Sequence, residues 1–161
     1  MRLPRVGGAV NVTLETERDR MLEQAFMNRF MARLPEDTQN HRMPQYSIVD
    51  YVITRAGEVR YFLELKIRKE TVEQVKTYGG LMLKQRKVLE LHQFSEAVKA
   101  DVWIVFAFAN GSGDVLVAQP RHLLNLPPED PPRRRNYRGL ATDEEPVVYL
   151  DWSQHLTQWR M

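Results

Sequence analysis

SIVDYVITRAGEVRYFLELKIR, residues 47–68, reads as two short apolar strands joined by a tight turn. Acids and a lysine stand in it where apolar side chains are expected. Asp50 interrupts the run Ile48, Val49, Tyr51, Val52, Ile53. In the second strand Tyr61, Leu63, Leu65 and Ile67 form one face by period-two alternation, and Phe62, Glu64 and Lys66 form the other. Glu64 and Lys66 therefore point the same way, about 7 Å apart along the strand. Between the strands, Arg55-Ala56-Gly57-Glu58 supplies the turn, with Gly57 taking the positive φ angle. A half-exposed hairpin carrying an ordinary Glu/Lys pair would share part of this pattern. It would not place Asp50 inside an apolar run. Burying a charge costs several kcal/mol unless a partner or a metal compensates it.

Upstream, Thr13–Leu34 has helical periodicity, with Thr13 or Thr16 as N-cap and acids in its first turns. Pro35 ends it. Steps of 100° place Phe26, Met27, Phe30, Met31 and Leu34 on one stripe that must face a core, and Glu23 falls within that stripe. Before the helix, residues 1–12 (MRLPRVGGAVNV) have no periodicity and read as a flexible arm. Residues 35–46 (PEDTQNHRMPQY) are polar with two prolines and are expected to form a loop, from which His41, Arg42, Gln45 and, just beyond it, Ser47 can reach a substrate.

Downstream, Thr71 is a candidate N-cap for a helix through Lys76, and Gly79-Gly80 marks a break. A second helix is expected from Leu81 to Lys99, burying Val88, Leu91, Phe94 and Val98, with Lys84 and Lys87 near its start. Val102–Ala109 is nearly all apolar, as in a central strand covered on both faces. After a turn at residues 110–114 comes a strand from Val115 to Gln119. Residues 127–146 form a long Pro/Arg-rich loop in which Arg133, Arg134, Arg135 and Arg138 surround Tyr137, a mixture suited to phosphate contact and base stacking. A last strand, Val147–Trp152, and a short terminal helix capped by Ser153 complete the chain. The order helix, strand, strand, helix, strand, strand predicts a single α/β domain over residues 1–161. Its central mixed sheet is flanked by helices, with a strand and a short helix appended.

Composition agrees with a globular chain of 161 residues, 43% hydrophobic and 27% charged. No apolar run reaches membrane-spanning length and no secretory leader opens the chain, so a cytoplasmic protein without membrane contact is expected. The absence of Cys excludes disulfides and thiolate zinc sites. Of the 23 Lys and Arg residues only six are Lys, and Arg prefers planar phosphates and carboxylates. The four His lack zinc-binding spacing, and no G-x-S-x-G elbow exists for acyl transfer.

Asp50 and Glu64 on neighbouring strands can hold a hard divalent cation, together with the Leu65 carbonyl and water. Lys66 can orient an attacking water or offset charge on a phosphate, and Glu23 can complete a second metal position or hold a water. These are the parts of phosphodiester hydrolysis.

Glu23, then Asp50, then E-L-K at 64–66, in the order helix, strand, strand, resembles the PD-(D/E)XK nuclease superfamily. Within it the layout over residues 13–120 is most similar to the archaeal-type Holliday-junction resolvases, including those carried by phages. Hydrophobics follow Glu23 at +3, +4, +7 and +8, as in those enzymes. Val49 stands where the motif's proline would be, and Met21 and Leu22 occupy the place of a polar residue before the helix glutamate. The resemblance implies a restriction-endonuclease-like core and catalytic roles for Glu23, Asp50, Glu64 and Lys66. It implies Mg²⁺ as cofactor with Mn²⁺ able to replace it, and a homodimer acting on four-way DNA junctions. Lys84, Lys87, Arg42, Ser47 and the arginines of the 127–146 loop would contact DNA. Two other readings share the scaffold: an exonuclease or nicking nuclease on linear DNA, and a catalytically silent DNA-binding module.

Overall fold

The computed structural model describes residues 17–110, 113–131 and 145–160. The expected arm at residues 1–12, the candidate caps Thr13 and Thr16, and Arg133, Arg134, Arg135 and Arg138 lie outside the described residues.

Helix α1 covers Glu17–Met31, and it ends three residues earlier than its apolar stripe suggests. Arg33 and Leu34 close with turn-type bonds to Phe30 and Met31, because Pro35 disfavours helical geometry in the residue before it. The polar stretch read as a loop contains a strand, β1 at Thr38–Arg42, paired antiparallel with β2 at Tyr51–Arg55. Its side chains are almost all exposed, so it carries no apolar alternation to betray it. Strand β2 pairs antiparallel with β3, Glu58–Arg68, through a turn in which both Ala56 and Gly57 have positive φ. Helix α2, Val72–Tyr78, opens on the Thr71 cap, which forms a reciprocal capping box with Gln74.

Next comes a correction to the expected second helix. Gly80–Lys84 is a strand, β4, and helix α3 covers only Gln85–Val98. In β4, Leu81 and Leu83 are buried while their neighbours are not, which is period two, and β4 pairs with β7, Val147–Asp151. Val88 and Leu91 of α3 are buried, as expected, but Val98 is 40% exposed. Strand β5, Asp101–Phe108, runs parallel to β3 and is buried on both faces. Strand β6, Asp114–Ala118, pairs antiparallel with β5.

The chain's end holds a further correction. In place of a Ser153-capped helix, a strand β8, Thr157–Arg160, pairs with β6. The Asp151 carboxylate accepts bonds from the Ser153 and Gln154 N–H groups and from the Ser153 hydroxyl, making a tight turn where a helix start was expected.

The main sheet therefore has the order β1-β2-β3-β5-β6-β8 and is mixed, since only β3 and β5 run parallel. On one face Phe26, Met27 and Phe30 of α1 pack over Tyr51, Ile53, Leu63, Leu65 and Val105. On the other, Val88 and Leu91 of α3 and the small β4–β7 sheet cover Phe62, Ile104, Phe106 and Leu116. A central mixed sheet flanked by helices is what the sequence predicts.

The β4–β7 contact leaves no room at Gly80, where an added Cβ would lie 1.9 Å from the Leu150 carbonyl oxygen. At Gly79 (φ +95) a Cβ meets nothing within 4 Å. Gly80→Ala is expected to lower unfolding free energy by about 2 kcal/mol or more. Gly79→Ala should lose only about 1 kcal/mol, the cost of a left-handed non-glycine. Urea midpoints compare them, and equal losses would show that Gly80 serves its backbone angle rather than the strand contact.

Candidate functional site

Asp50 precedes β2, and its backbone continues the ladder on both sides. Met43 N–H donates to the Asp50 carbonyl at 2.8 Å and Asp50 N–H to the Leu63 carbonyl at 2.9 Å. Its side chain extends the same ladder one step further, because the Leu65 N–H donates to Asp50 Oδ2 at 2.7 Å. Within a strand, a residue's N–H and C=O lie along the same edge. The Leu65 carbonyl is thus on the edge that Asp50 occupies.

Glu64 faces α3 and is only 4% exposed. Two cations stand at its Oε2: Lys66 Nζ at 3.4 Å and Lys87 Nζ at 3.1 Å. Lys87 also donates to the Ile48 carbonyl at 2.9 Å, tying α3 to the segment that leads into Asp50. Burial, with the Glu64 charge adding to it, pushes the Asp50 carboxyl up from 3.8 to about 6. The Leu65 N–H and the two lysines oppose that rise without cancelling it.

Glu23 reaches the site from the α1 face. The Tyr51 hydroxyl donates to Glu23 Oε1 at 2.5 Å, and Arg42 Nε lies 3.2 Å from the same oxygen. Burial and the neighbouring Glu23 hold Tyr51 well above the ordinary phenol range, so it stays a donor. Among the described residues, no cluster of three or more His, Cys, Asp or Glu side chains is placed to hold a metal. The Glu23 carboxylate is thus engaged by Tyr51 and Arg42 and forms no three-acid cluster with Asp50 and Glu64.

The structure accordingly joins Asp50, Glu64, Leu65 and Lys66, and adds Lys87, which the sequence offers only as a DNA contact. Arg42 is drawn to Glu23. Lys84 stands elsewhere, at the end of β4, paired with Glu145 at 3.1 Å. The Ser47 N–H bonds to the Pro44 carbonyl in a turn. Tyr51 escapes sequence reasoning, although a signal exists. As the neighbour of Asp50 on a strand it must face the other way, toward the helix stripe that contains Glu23.

A buried carboxylate, a half-buried one and a backbone carbonyl are hard oxygen donors, and this set fits Mg²⁺ or Mn²⁺, which retain waters and accept phosphate oxygens. The elevated Asp50 carboxyl is a second sign of fit, since a cation there would relieve the repulsion between the two acids.

A family model described as "Phage putative PDDEXK endonuclease" matches residues 10–157. No curated protein matches the sequence. Among solved structures, the chain is similar to the Archaeoglobus fulgidus Holliday junction resolvase Hjc. The identity is 13% and the TM-score 0.48, over 83% of this chain and 84% of that one.

The Asp50 shift has a signed consequence for stability. A carboxyl raised from 3.8 to about 6 on folding binds more protons in the folded chain, so stability falls as pH rises between those values. Asp50→Asn keeps an acceptor for the Leu65 N–H and removes the charge. In EDTA it is expected to stabilise the chain by on the order of 1–3 kcal/mol above pH ~6 and by little below pH ~4. Thermal unfolding across that range measures the difference. A variant that is less stable at neutral pH would refute the strained-acid account.

Proposed function

The chain belongs to the phage PDDEXK endonuclease family, nucleases that are generally divalent-metal-dependent, and from that premise we propose that it is a Mg²⁺-dependent, structure-selective DNA endonuclease acting at four-way junctions. The observation that carries the reading is the joint placement of Asp50, Glu64 and Lys66 around the Leu65 backbone. Asp50, Glu64 and the Leu65 carbonyl are the residues that would hold the cation. When bound, it would polarise the scissile phosphate and lower the pKa of water beside it.

The chain's own groups do the rest. Lys66, ion-paired with Glu64 at 3.4 Å, would orient the attacking water and offset charge that develops on the phosphate. Lys87 neutralises Glu64 from the helix side and fixes the Ile48 carbonyl, which keeps the loop before Asp50 in place. We assign Glu23 to positioning, through Tyr51 and Arg42, rather than to direct ligation. Arg42 and Ser47 lie beside this edge and are assigned to DNA.

A preference for branched DNA draws support from Tyr46. It is 93% exposed, four residues before Asp50, on a loop held at one end by the Pro44–Ser47 turn and at the other by Lys87. An exposed aromatic ring on a loop held in place is a stacking platform for a base pair left unstacked at the point of exchange, which continuous duplex does not offer. A homodimer would present two such edges to the two strands cut at a junction.

The test is cleavage of an end-labelled four-way junction, with and without Mg²⁺, beside linear duplex. Glu64→Gln is expected to reduce cleavage by at least ~10²-fold while junction binding is retained. Tyr46→Ala should slow junction cleavage about 5–100-fold, the worth of one stacked base, without moving Tm. Equal rates on linear duplex would retain the site and discard junction selectivity. Tight binding without cutting in any divalent metal would leave a binding module.

A further inference from the structure

The two lysines at Glu64 are not equivalent. Both approach the same carboxylate oxygen, Oε2, Lys66 at 3.4 Å and Lys87 at 3.1 Å. Lys66 has no other ion-pair or hydrogen-bond partner among the described residues, and its side chain is 37% exposed. It can turn to solvent without losing a second bond. Lys87 is 24% exposed and has another anchor, the Ile48 carbonyl at 2.9 Å. It comes from α3 and ties that helix to the sheet, whereas Lys66 leans back along its own strand. When Glu64 is drawn to another cation, Lys87 keeps a partner and stays in place, and Lys66 is the one able to leave.

Each acid offers the chain one oxygen. Asp50 Oδ2 accepts the Leu65 N–H, and Glu64 Oε2 takes both lysines. Among the described residues no hydrogen bond or ion pair falls on Asp50 Oδ1 or Glu64 Oε1. With both acids ionised, Asp50, Glu64, Lys66 and Lys87 together carry no net charge. A divalent cation beside the acids would thus be attracted by two charges and repelled by two. The repulsion from Lys66 can be relieved by rotation of its side chain. That from Lys87 cannot, because the Ile48 carbonyl holds its ammonium beside Glu64. A unit charge fixed within several Å of a doubly charged ion opposes binding by roughly tenfold or more, even at the effective dielectric near a protein surface.

We infer that Lys87 is a built-in counter-cation of the acid pair. In the metal-free chain it keeps Glu64 neutralised and the segment before Asp50 in register with α3. The same fixed charge holds the affinity of the acids for a divalent cation well below what their oxygens alone would give. Lys87 is therefore a positioning residue that acts through Glu64, and Lys66 is the lysine left free to face a substrate. The inference rests on the metal-dependent reading above. It adds to that reading which of two neighbouring lysines sets the strength of metal binding, and why: anchorage, not proximity alone.

The test is Mn²⁺ binding to the DNA-free chain, read from the paramagnetic resonance of the free ion at neutral pH and constant ionic strength. Lys87→Met is expected to bind Mn²⁺ about tenfold or more tightly than wild type. Lys66→Met, which removes a mobile and more exposed charge, should gain about threefold or less. Lys87→Arg keeps the charge and should stay within about twofold of wild type. Without metal, Lys87→Met should melt a few degrees lower, and saturating Mn²⁺ should raise its Tm by more than it raises that of wild type. A lysine that served only the fold would lower Tm without tightening Mn²⁺ binding. Lys87→Met that binds Mn²⁺ no more tightly than wild type, or equal gains in the two Met variants, would overturn the inference. The wild-type chain gives a second reading that needs no variant. In ¹H–¹³C spectra of lysine-labelled protein, the Lys87 εCH₂ signal is expected to shift saturably with Mg²⁺, and a signal that Mg²⁺ leaves unmoved would also overturn it. None of these measurements needs cleavage, so the two readings fail separately. A chain that cuts junctions but whose Lys87→Met variant binds Mn²⁺ as wild type does loses only the role of Lys87. One whose variant gains affinity, but which cuts no DNA in any divalent metal, loses only the nuclease.

Discussion

The hydrogen bond from the Leu65 N–H to the Asp50 carboxylate is the contact on which the site depends. It lets a side chain take the place of a ladder carbonyl where β2 stops, so the edge of β3 beyond Leu63 is covered without another strand. The consequence is geometric. One acid is fixed in the plane of the sheet, Glu64 one residue away is turned out of that plane toward α3, and the Leu65 carbonyl lies on the Asp50 edge. The Leu65 carbonyl is thus set by backbone pairing, the Asp50 carboxylate by a backbone N–H, and the Glu64 carboxylate by its ion pairs with Lys66 and Lys87.

Rigidity beneath that edge comes from β5. It pairs parallel with β3 through Tyr61–Arg68 and is buried on both faces, with α1 packed on one side and α3 and the small sheet on the other. The positions of Glu23 and Lys87 follow from this sandwich. Glu23 is carried by the helix that covers one face, and Lys87 by the helix that covers the other. The two helices therefore deliver groups to the same end of β3 from opposite sides, and Tyr51 and Glu64 are the residues that meet them.

What the sequence disclosed divides along one physical line. Elements that bury an alternating or helical face were legible: α1 from Phe26, Met27 and Phe30, β3 from Leu63 and Leu65, β5 from its continuous apolar run. The shared direction of Glu64 and Lys66 was legible for the same reason, and the 3.4 Å contact between them bears it out. Elements held by pairing rather than by burial were not. Strand β1 is exposed at an edge, β8 is four exposed residues, and neither has a period to detect. Strand β4 was absorbed into the helix after it because L-M-L-K runs into Q-R-K-V without a breaker. Lys87 was read as a DNA contact, because only the fold reveals that the first turn of α3 lies over Glu64.

The charges at the site also show why Asp50, rather than the other acids, bears the cost of the arrangement. Glu23 has Arg42 and Tyr51, and Glu64 has Lys66 and Lys87. Asp50 has no ion pair among the described residues and is held by a backbone N–H alone. One neutral donor offsets only part of the desolvation of this half-buried carboxylate, and the Glu64 charge acts against it. A third lysine or an arginine beside Asp50 would remove the strain and improve the stability of the resting chain. It would also take the space beside Asp50 in which, on the proposed function, a divalent cation would sit, so that stability and metal affinity would oppose each other there.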